Sequence, residues 1–302
     1  VSEMSRRVIA TTGVFDGVHR GHQALLALMR ASAPQAEVRA VTFTDHPMCV
    51  IAPEAAPQLI CDSDTKVRLL RDAGADHVDV LPFSEIRSLT AAEYMHRLAA
   101  EGVTDLVLGF NNSFGSDRMR TLEQYRAAGA VAGLTVTQAP PVLVGGEPVS
   151  STRIRRALAA GEIAASTELL GHPYTISGIV GAGHRIGRTI GYPTANIVTS
   201  PRLLLPAAGV YAGATEIDGR RYPVMLNIGC RPTIDADPRP TVEAHVIGLD
   251  ADLYDRPLTV QVTARLRDTR RFDTLDALRA QLDADRLATL RAQTTYTPHM
   301  AL

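Results

Sequence analysis

Two domains of different class are predicted for this 302-residue chain: a doubly wound α/β domain with a parallel sheet, then a small antiparallel β-barrel with a C-terminal helix. Three observations lead there. The length is more than a single hydrophobic core usually serves. As far as residue 138, apolar β-type runs alternate with helical patterns, the rhythm of a parallel sheet covered on both faces. From 174 to 266 the strands are instead short, alternating and separated by turns, with no long helix until 274–291. A boundary near 172 gives domains of 1–172 and 173–302.

In the first half the strands are expected at 7–14, 37–43, 77–82, 104–109 and 134–138, and the helices at 20–31, 63–73, 90–101 and 118–129. Asp62 or Ser63 suits the cap of the second helix, which ends at Gly74, and Thr90 suits the third. The stretch from Ala159 to His172 is read as helical. In the second half, strands are expected at 174–181, 209–216, 221–228, 241–249 and 257–266.

The bulk composition is that of a soluble globular chain. Hydrophobic residues make up 45%, and 31 basic against 32 acidic side chains leave a net charge of −1. Such a balance gives no reason to expect nucleic-acid or membrane affinity. No apolar run is long enough for a bilayer, and the first residues lack a basic-then-apolar signal pattern. Cys49, Cys61 and Cys230 are isolated and odd in number, fitting neither a disulfide framework nor a zinc site. A cytoplasmic location is expected, and a homo-oligomer is left open.

Chemistry concentrates first in Gly13-Val14-Phe15-Asp16-Gly17-Val18-His19-Arg20-Gly21-His22, where a strand turns into a helix. Such a turn exposes backbone N–H groups and the positive end of a helix dipole, an anion site. Gly13, Gly17 and Gly21 allow backbone to approach a phosphate, and His19 and His22 can donate hydrogen bonds to its oxygens. A second clamp is offered by Ser150-Ser151-Thr152-Arg153. Either serine can cap the helix that starts there, and Arg153 so near a helix start favours an anion partner. Between them lie Phe43-Thr44-Asp45-His46-Pro47 and Gly109-Phe110-Asn111-Asn112-Ser113-Phe114-Gly115. His46 reads either as a loop histidine or as a site residue. The amides and ring of Asn111, Asn112 and Phe114 suit recognition of a planar polar ring, and equally an ordinary turn.

The second half has its own candidates. Gly178 to Arg188 is glycine-rich and basic, without the Gly-Lys-Ser/Thr of a Walker A loop. Thr194 and Asn196 offer neutral oxygens two residues apart, a set that suits Mg²⁺ held mainly by waters and phosphates. Glu243 is the one carboxylate of the alternating stretch Thr241-Val242-Glu243-Ala244-His245-Val246.

The His19-Arg20-Gly21-His22 string resembles the HxGH signature of the nucleotidyltransferase superfamily. The longer GVFDGVHRGH resembles the adenylyltransferase half of bacterial bifunctional riboflavin kinase/FAD synthetases. Other matches follow in that family's order: Phe-x-x-His-Pro at 43–47, SSTxIR at 150–155, GxPTAN at 191–196, NxGxxPT at 227–233, and the stretch 265–272. The resemblance implies a bifunctional enzyme that phosphorylates riboflavin with ATP and Mg²⁺ to FMN, then transfers AMP from ATP to FMN, giving FAD and pyrophosphate. It implies His19, His22, Arg153 and Glu243 as catalytic residues. Gly13, Phe15, Asp16, Gly21, Ser150, Ser151, Thr152, Gly183 and Arg188 would hold nucleotide or phosphate. His46, Asn111, Asn112, Phe114 and Arg267 would contact flavin, and Thr194 and Asn196 the metal. Asn112-Ser113, Arg120 and Thr269 depart from the family pattern. The departures leave a second reading open, an active riboflavin kinase beside a weak or retargeted nucleotidyltransferase. A third is a flavin-binding protein without turnover.

Overall fold

The computed structural model describes residues 7–181, 191–229 and 240–295. The chain divides into two compact units, residues 1–59 with 63–151, and residues 60–62 with 152–302.

In the first unit, β1 (Val8–Thr12), α1 (Arg20–Ser32), β2 (Glu37–Phe43), the short α2 (Met48–Ile51), α3 (Ser63–Asp72), β3 (His77–Leu81), α4 (Ala91–Ala100), β4 (Asp105–Leu108), α5 (Leu122–Ala132) and β5 (Thr135–Gln138) follow one another. The strands form a five-stranded sheet in the order β3-β2-β1-β4-β5, and every pair in it is parallel. Successive side chains of a strand point to opposite faces. Val8 and Ala10 of β1 therefore join Tyr94, Met95 and Leu98 of α4, while Ile9 joins Leu25, Leu26 and Met29 of α1 with Leu70 of α3. Both faces are dry, which is why β1 opens on the apolar run Val8-Ile9-Ala10. The strand order reverses between β1 and β4. Loops leaving the carboxyl ends of those two strands flank the crevice where such sheets bind ligands.

Local signals set the helix ends. Thr90 accepts from Glu93 N while the Glu93 carboxylate takes Thr90 N–H, a full capping box. The helix expected at 118–129 spans 122–132 instead. Thr121 and Gln124 form the same reciprocal box, and the helix runs on to Gly133 in the left-handed region at φ 79°. A two-residue hairpin, β6 (Leu143–Val144) and β7 (Glu147–Pro148), turns on Gly145-Gly146 and was not expected.

Of the stretch expected to be helical from Ala159 to His172, the structure forms α7 (Ile163–Leu170), while α6 (Ser151–Ala159) ends where that stretch begins. Gly161 at φ 74° makes the break between them. α7 packs on strands of the second unit, which explains why that unit begins ahead of residue 172.

The second unit is a closed antiparallel barrel of six strands. They are β8 (Tyr174–Gly181), β9 (Ala195–Thr199), β10 (Gly209–Ile217), β11 (Arg220–Gly229), β12 (Thr241–Val246) and β13 (Pro257–Arg267), arranged β10-β11-β12-β9-β8-β13. β9 was not expected. Its five residues follow a proline and carry no clear alternation, and pairing with β8 and β12 on either side makes it a strand. Inside lie Ile176, Val180, Tyr211, Leu226, Ile228, Val242, Val260 and Val262, all buried. The 21-residue α8 (Leu275–Thr295) lies outside the barrel, where Leu278 and Leu282 pack on Tyr192 and Met225.

The wall is thin where β8 crosses β9. A Cβ on Gly178 would collide with the Val198 backbone carbonyl, which cannot move without opening the ladder. Gly178→Val should therefore destabilise the barrel by about 1–3 kcal/mol through overpacking. The check is the urea midpoint of the barrel's unfolding transition. An unchanged midpoint would mean that the wall yields freely.

Candidate active sites

The first site grows out of the end of β1. The turn Phe15-Asp16-Gly17-Val18 closes with Val18 N–H donating to Phe15 O at 3.0 Å. Phe15 at φ 50° and Val18 at φ 38° both sit in the left-handed region, which a β-branched residue rarely adopts. The surroundings hold them there. Gln23 Nε2 donates to Val18 O at 2.8 Å, Thr42 Oγ1 donates to Val14 O at 3.1 Å, and Ser151 Oγ donates to Asp16 O at 3.1 Å. Strain maintained this way at a strand-to-helix turn marks functional backbone.

The turn delivers two imidazoles. His19 is the N-cap residue of α1, and its carbonyl accepts from His22 N at 2.7 Å and Gln23 N at 3.0 Å. The rings of His19 and His22 stack with centroids 3.7 Å apart, and Phe15 meets His22 edge-on at 5.0 Å. A side chain on Gly21 would press on the His19 ring, its Cβ landing 3.1 Å from it, so glycine lets the stack form. Although His22 is half-buried, its Nδ1 is closed off from solvent and has no hydrogen-bond partner. Burial, reinforced by the charge His19 would carry, holds the His22 imidazole well below its usual pKa. His22 is thus neutral at pH 7.

The other residues expected at this site take different roles. His46 Nδ1 accepts from Met48 N at 3.2 Å, capping the turn into α2. The Asn112 amide donates to the carbonyl of Thr12 at the end of β1, and Asn111 is exposed. Phe114 does not project freely as a platform for a planar ring. Its ring lies 5.3 Å from that of Tyr94 and 4.9 Å from that of Tyr125, and Tyr125 OH accepts from Phe114 N at 2.8 Å. Ser150 and Ser151 end the first unit, with Thr152 and Arg153 next in the chain. A buried lysine was missed by sequence reading. Lys66 Nζ donates to Phe43 O at 2.6 Å, steadying the strand end just before His46.

The second site lies on the outer wall of the barrel. Register sets Glu243 of β12 opposite Asn227 of β11 on one side and Asn196 of β9 on the other. Directly opposed residues share a face, so one carboxylate stands between two amides. Val242, Ala244 and Val246 fill the interior, leaving Thr241, Glu243 and His245 to face outward. There they line a cleft of about 940 Å³ together with Thr194, Asn227, Arg267, Thr269 and Phe272. Glu243 has no hydrogen-bond or ion-pair partner among the described residues. Gly183 and Arg188, with most of the loop at 227–233, lie outside the described residues.

Arg267 lines the cleft but is already engaged. Its guanidinium grips the Asp285 carboxylate of α8 through Nε at 3.0 Å and Nη2 at 2.7 Å, and Gln281 Nε2 donates to the same carboxylate at 2.7 Å. Asp285 is buried, and a buried carboxylate needs such partners. Arg267 therefore fastens α8 over the cleft. Asp285 was missed because an acid within a polar helix looks solvated until the arginine opposite is known.

The neutral His22 has a consequence for stability. The unfolded chain takes up a proton near pH 6.5, whereas the folded state takes it up only well below that, so acidification through this window favours unfolding. His22→Gln should make the thermal midpoint fall less than that of the unaltered chain between about pH 7 and about pH 5.5. Equal falls would show that His22 is not held neutral.

Comparison with known proteins matches each half of the chain to a different family model. Residues 1–153 match the family model described as FAD synthetase, and residues 170–292 match that described as riboflavin kinase. A bifunctional riboflavin kinase/FMN adenylyltransferase of Pseudomonas fluorescens is 39% identical, covering 97% of this chain and 95% of its own. The Escherichia coli K12 protein of that name is 36% identical over 92% of this chain and 90% of its own. A crystal structure of a macrolide-efflux protein from Streptococcus pneumoniae is 32% identical and covers 97% of this chain and 95% of its own, with a TM-score of 0.85. Matches of that extent in both halves, in this order, mean that the chain belongs to the bifunctional riboflavin kinase/FMN adenylyltransferase family.

Proposed function

We infer that the barrel half, residues 173–302, phosphorylates riboflavin with ATP to give FMN, and that the α/β half, residues 1–172, joins FMN to AMP from a second ATP to give FAD and pyrophosphate. The observation that carries the reading is Glu243, a carboxylate set by register between Asn196 and Asn227 and facing a cleft with room for a flavin.

In the kinase reaction a ribityl hydroxyl of riboflavin attacks the γ-phosphorus, and ADP leaves. Glu243 accepts the hydroxyl proton in that step. Among the described residues no salt bridge holds it back from taking that proton. Thr194 and Asn196 are the residues that would hold Mg²⁺. Two neutral oxygens next to one carboxylate, with no cluster of three acidic, His or Cys residues among the described residues, suit a cation that arrives with phosphates. Bound there, Mg²⁺ would neutralise charge on the nucleotide.

In the adenylyl transfer the nucleophile is an oxygen of FMN's own phosphate. It attacks the α-phosphorus of ATP and displaces pyrophosphate, so no proton need be removed and no covalent intermediate arises. What remains is positioning and charge stabilisation. His19, His22, Ser150, Ser151, Thr152 and Arg153 supply hydrogen bonds to the phosphates, with Gly13, Phe15, Asp16 and Gly21 shaping the turn. His46 and Asn111 are assigned to flavin, and Asn112 and Phe114 serve by shaping the loop.

The second reading, a kinase beside a weakened or retargeted transferase, has one observation in its favour: Asn112 spends its amide on the Thr12 carbonyl. No helix among the described residues is long and apolar enough to cross a membrane.

Chromatography of flavins after incubation with riboflavin, ATP and Mg²⁺ tests both readings. FMN should accumulate first and FAD follow. Glu243→Gln should lower FMN formation by about 100-fold or more while FAD still forms from supplied FMN. His22→Ala should do the reverse, lowering FAD formation by about 100-fold. FMN without FAD, even from supplied FMN, would favour the second reading. Loss of both activities in either folded variant would overturn the assignment of one site to each half.

A further inference from the structure

Thr194 is held in an unusual way. The β9–β12 ladder pairs Asn196 with Glu243 and Ala195 with Ala244, and there it stops. One more rung would set Thr194 opposite His245. Pro193 precedes Thr194 and has no N–H to offer a neighbouring strand. The segment carrying the expected metal-binding hydroxyl therefore leaves the sheet one residue before it is needed.

A side chain takes the place of the missing rung. His245 Nδ1 lies 2.7 Å from Pro193 O, and its ring packs 5.1 Å from the ring of Tyr192. A carbonyl oxygen only accepts, so Nδ1 carries the proton in this contact. Burial holds the imidazole below its usual pKa, so the neutral Nδ1–H tautomer is the form present at pH 7. Tyr192 is anchored in turn, with its hydroxyl donating to Asp283 of α8 and its ring against Met225, Leu278 and Leu282.

We propose that His245 is a positioning residue for the kinase reaction, its side chain acting as the last rung of the β9–β12 ladder and fixing the Pro193 carbonyl so that Thr194 is presented at the phosphate end of the cleft. The inference rests on the kinase reading. It adds a residue that need not touch either substrate. His245 shares the outward face of β12 with Glu243, so one strand supplies the base and steadies the opposite side of the site.

Two variants test this in the full chain. His245→Leu keeps bulk and loses the donor. His245→Asn keeps an amide N–H near the position of Nδ1–H. Removing a support of this kind costs about 10–100-fold. His245→Leu should lower kcat for FMN formation by that factor and weaken ADP binding with Mg²⁺, measured by calorimetry. KM for riboflavin and FAD formation from supplied FMN should stay unchanged. His245→Asn should recover most of both losses. The proposal is overturned if His245→Leu keeps full FMN formation and ADP affinity. It is equally overturned if His245→Asn is as impaired as His245→Leu, which would make the ring mere packing. No FMN from the unaltered chain would overturn the kinase reading itself, and this inference with it.

Discussion

Register between β12 and its two neighbours governs what the barrel can do. Glu243 faces the cleft, and Val242 and Ala244 face the interior, only because Asn227, Glu243 and Asn196 stand in line across three strands. A slip of one residue would bury the carboxylate and expose the valine, costing the core and the base together. The same alignment places two amides beside the carboxylate, which has no ion pair among the described residues. Closure of the barrel guards that register, since β12 has a partner on both sides. The fastening of α8 by Arg267 and Asp285 then gives the outward face a roof.

The α/β half reaches its chemistry by another route. Its site is presented by a strained turn beyond the end of a buried strand, braced from three directions by Gln23, Thr42 and Ser151. The bracing holds Phe15 and Val18 in conformations they would not choose, and from there α1 begins with two stacked rings. One half therefore depends on cross-strand order and the other on local backbone strain, and each uses a neutral or unpaired group where phosphate chemistry needs it.

Most of the architecture was legible in the sequence, for reasons that can be named. Strands buried on both faces, such as β1 and β2, read as β-type runs of largely apolar residues, and Thr90 announced the start of α4. Features that depend on a distant partner were hidden. β9 is a strand because β8 and β12 lie beside it, and nothing in Ala195–Thr199 declares that. The break at Gly161 was covered by good helix formers on either side. Among site residues, the motif at 13–22 stood out by pattern, whereas Glu243 on pattern alone reads as a solvent-face carboxylate and was singled out by the resemblance. Phe114 and Arg267 also stood out, yet one is packed between tyrosines and the other grips Asp285. Lys66, His245 and Asp285 matter through contacts with residues distant in sequence, which periodicity does not encode.

Barrel closure also orders events during synthesis. The sheet of the α/β half is complete once β5 ends at Gln138, so its last strand can pair while the rest of the chain is still being made. The barrel has no such head start. Its first strand, β8, pairs with its last, β13, and Tyr174 must wait for Val262. Until Arg267 has been made, β8 and β10 each lack the neighbour that completes them, and their apolar residues have no closed interior to enter. An N-terminal half already folded shortens the nascent stretch that is open to mispairing during that interval. The order of the halves along the chain thus lets the α/β sheet form first, and leaves the barrel to close only once β13 has been made.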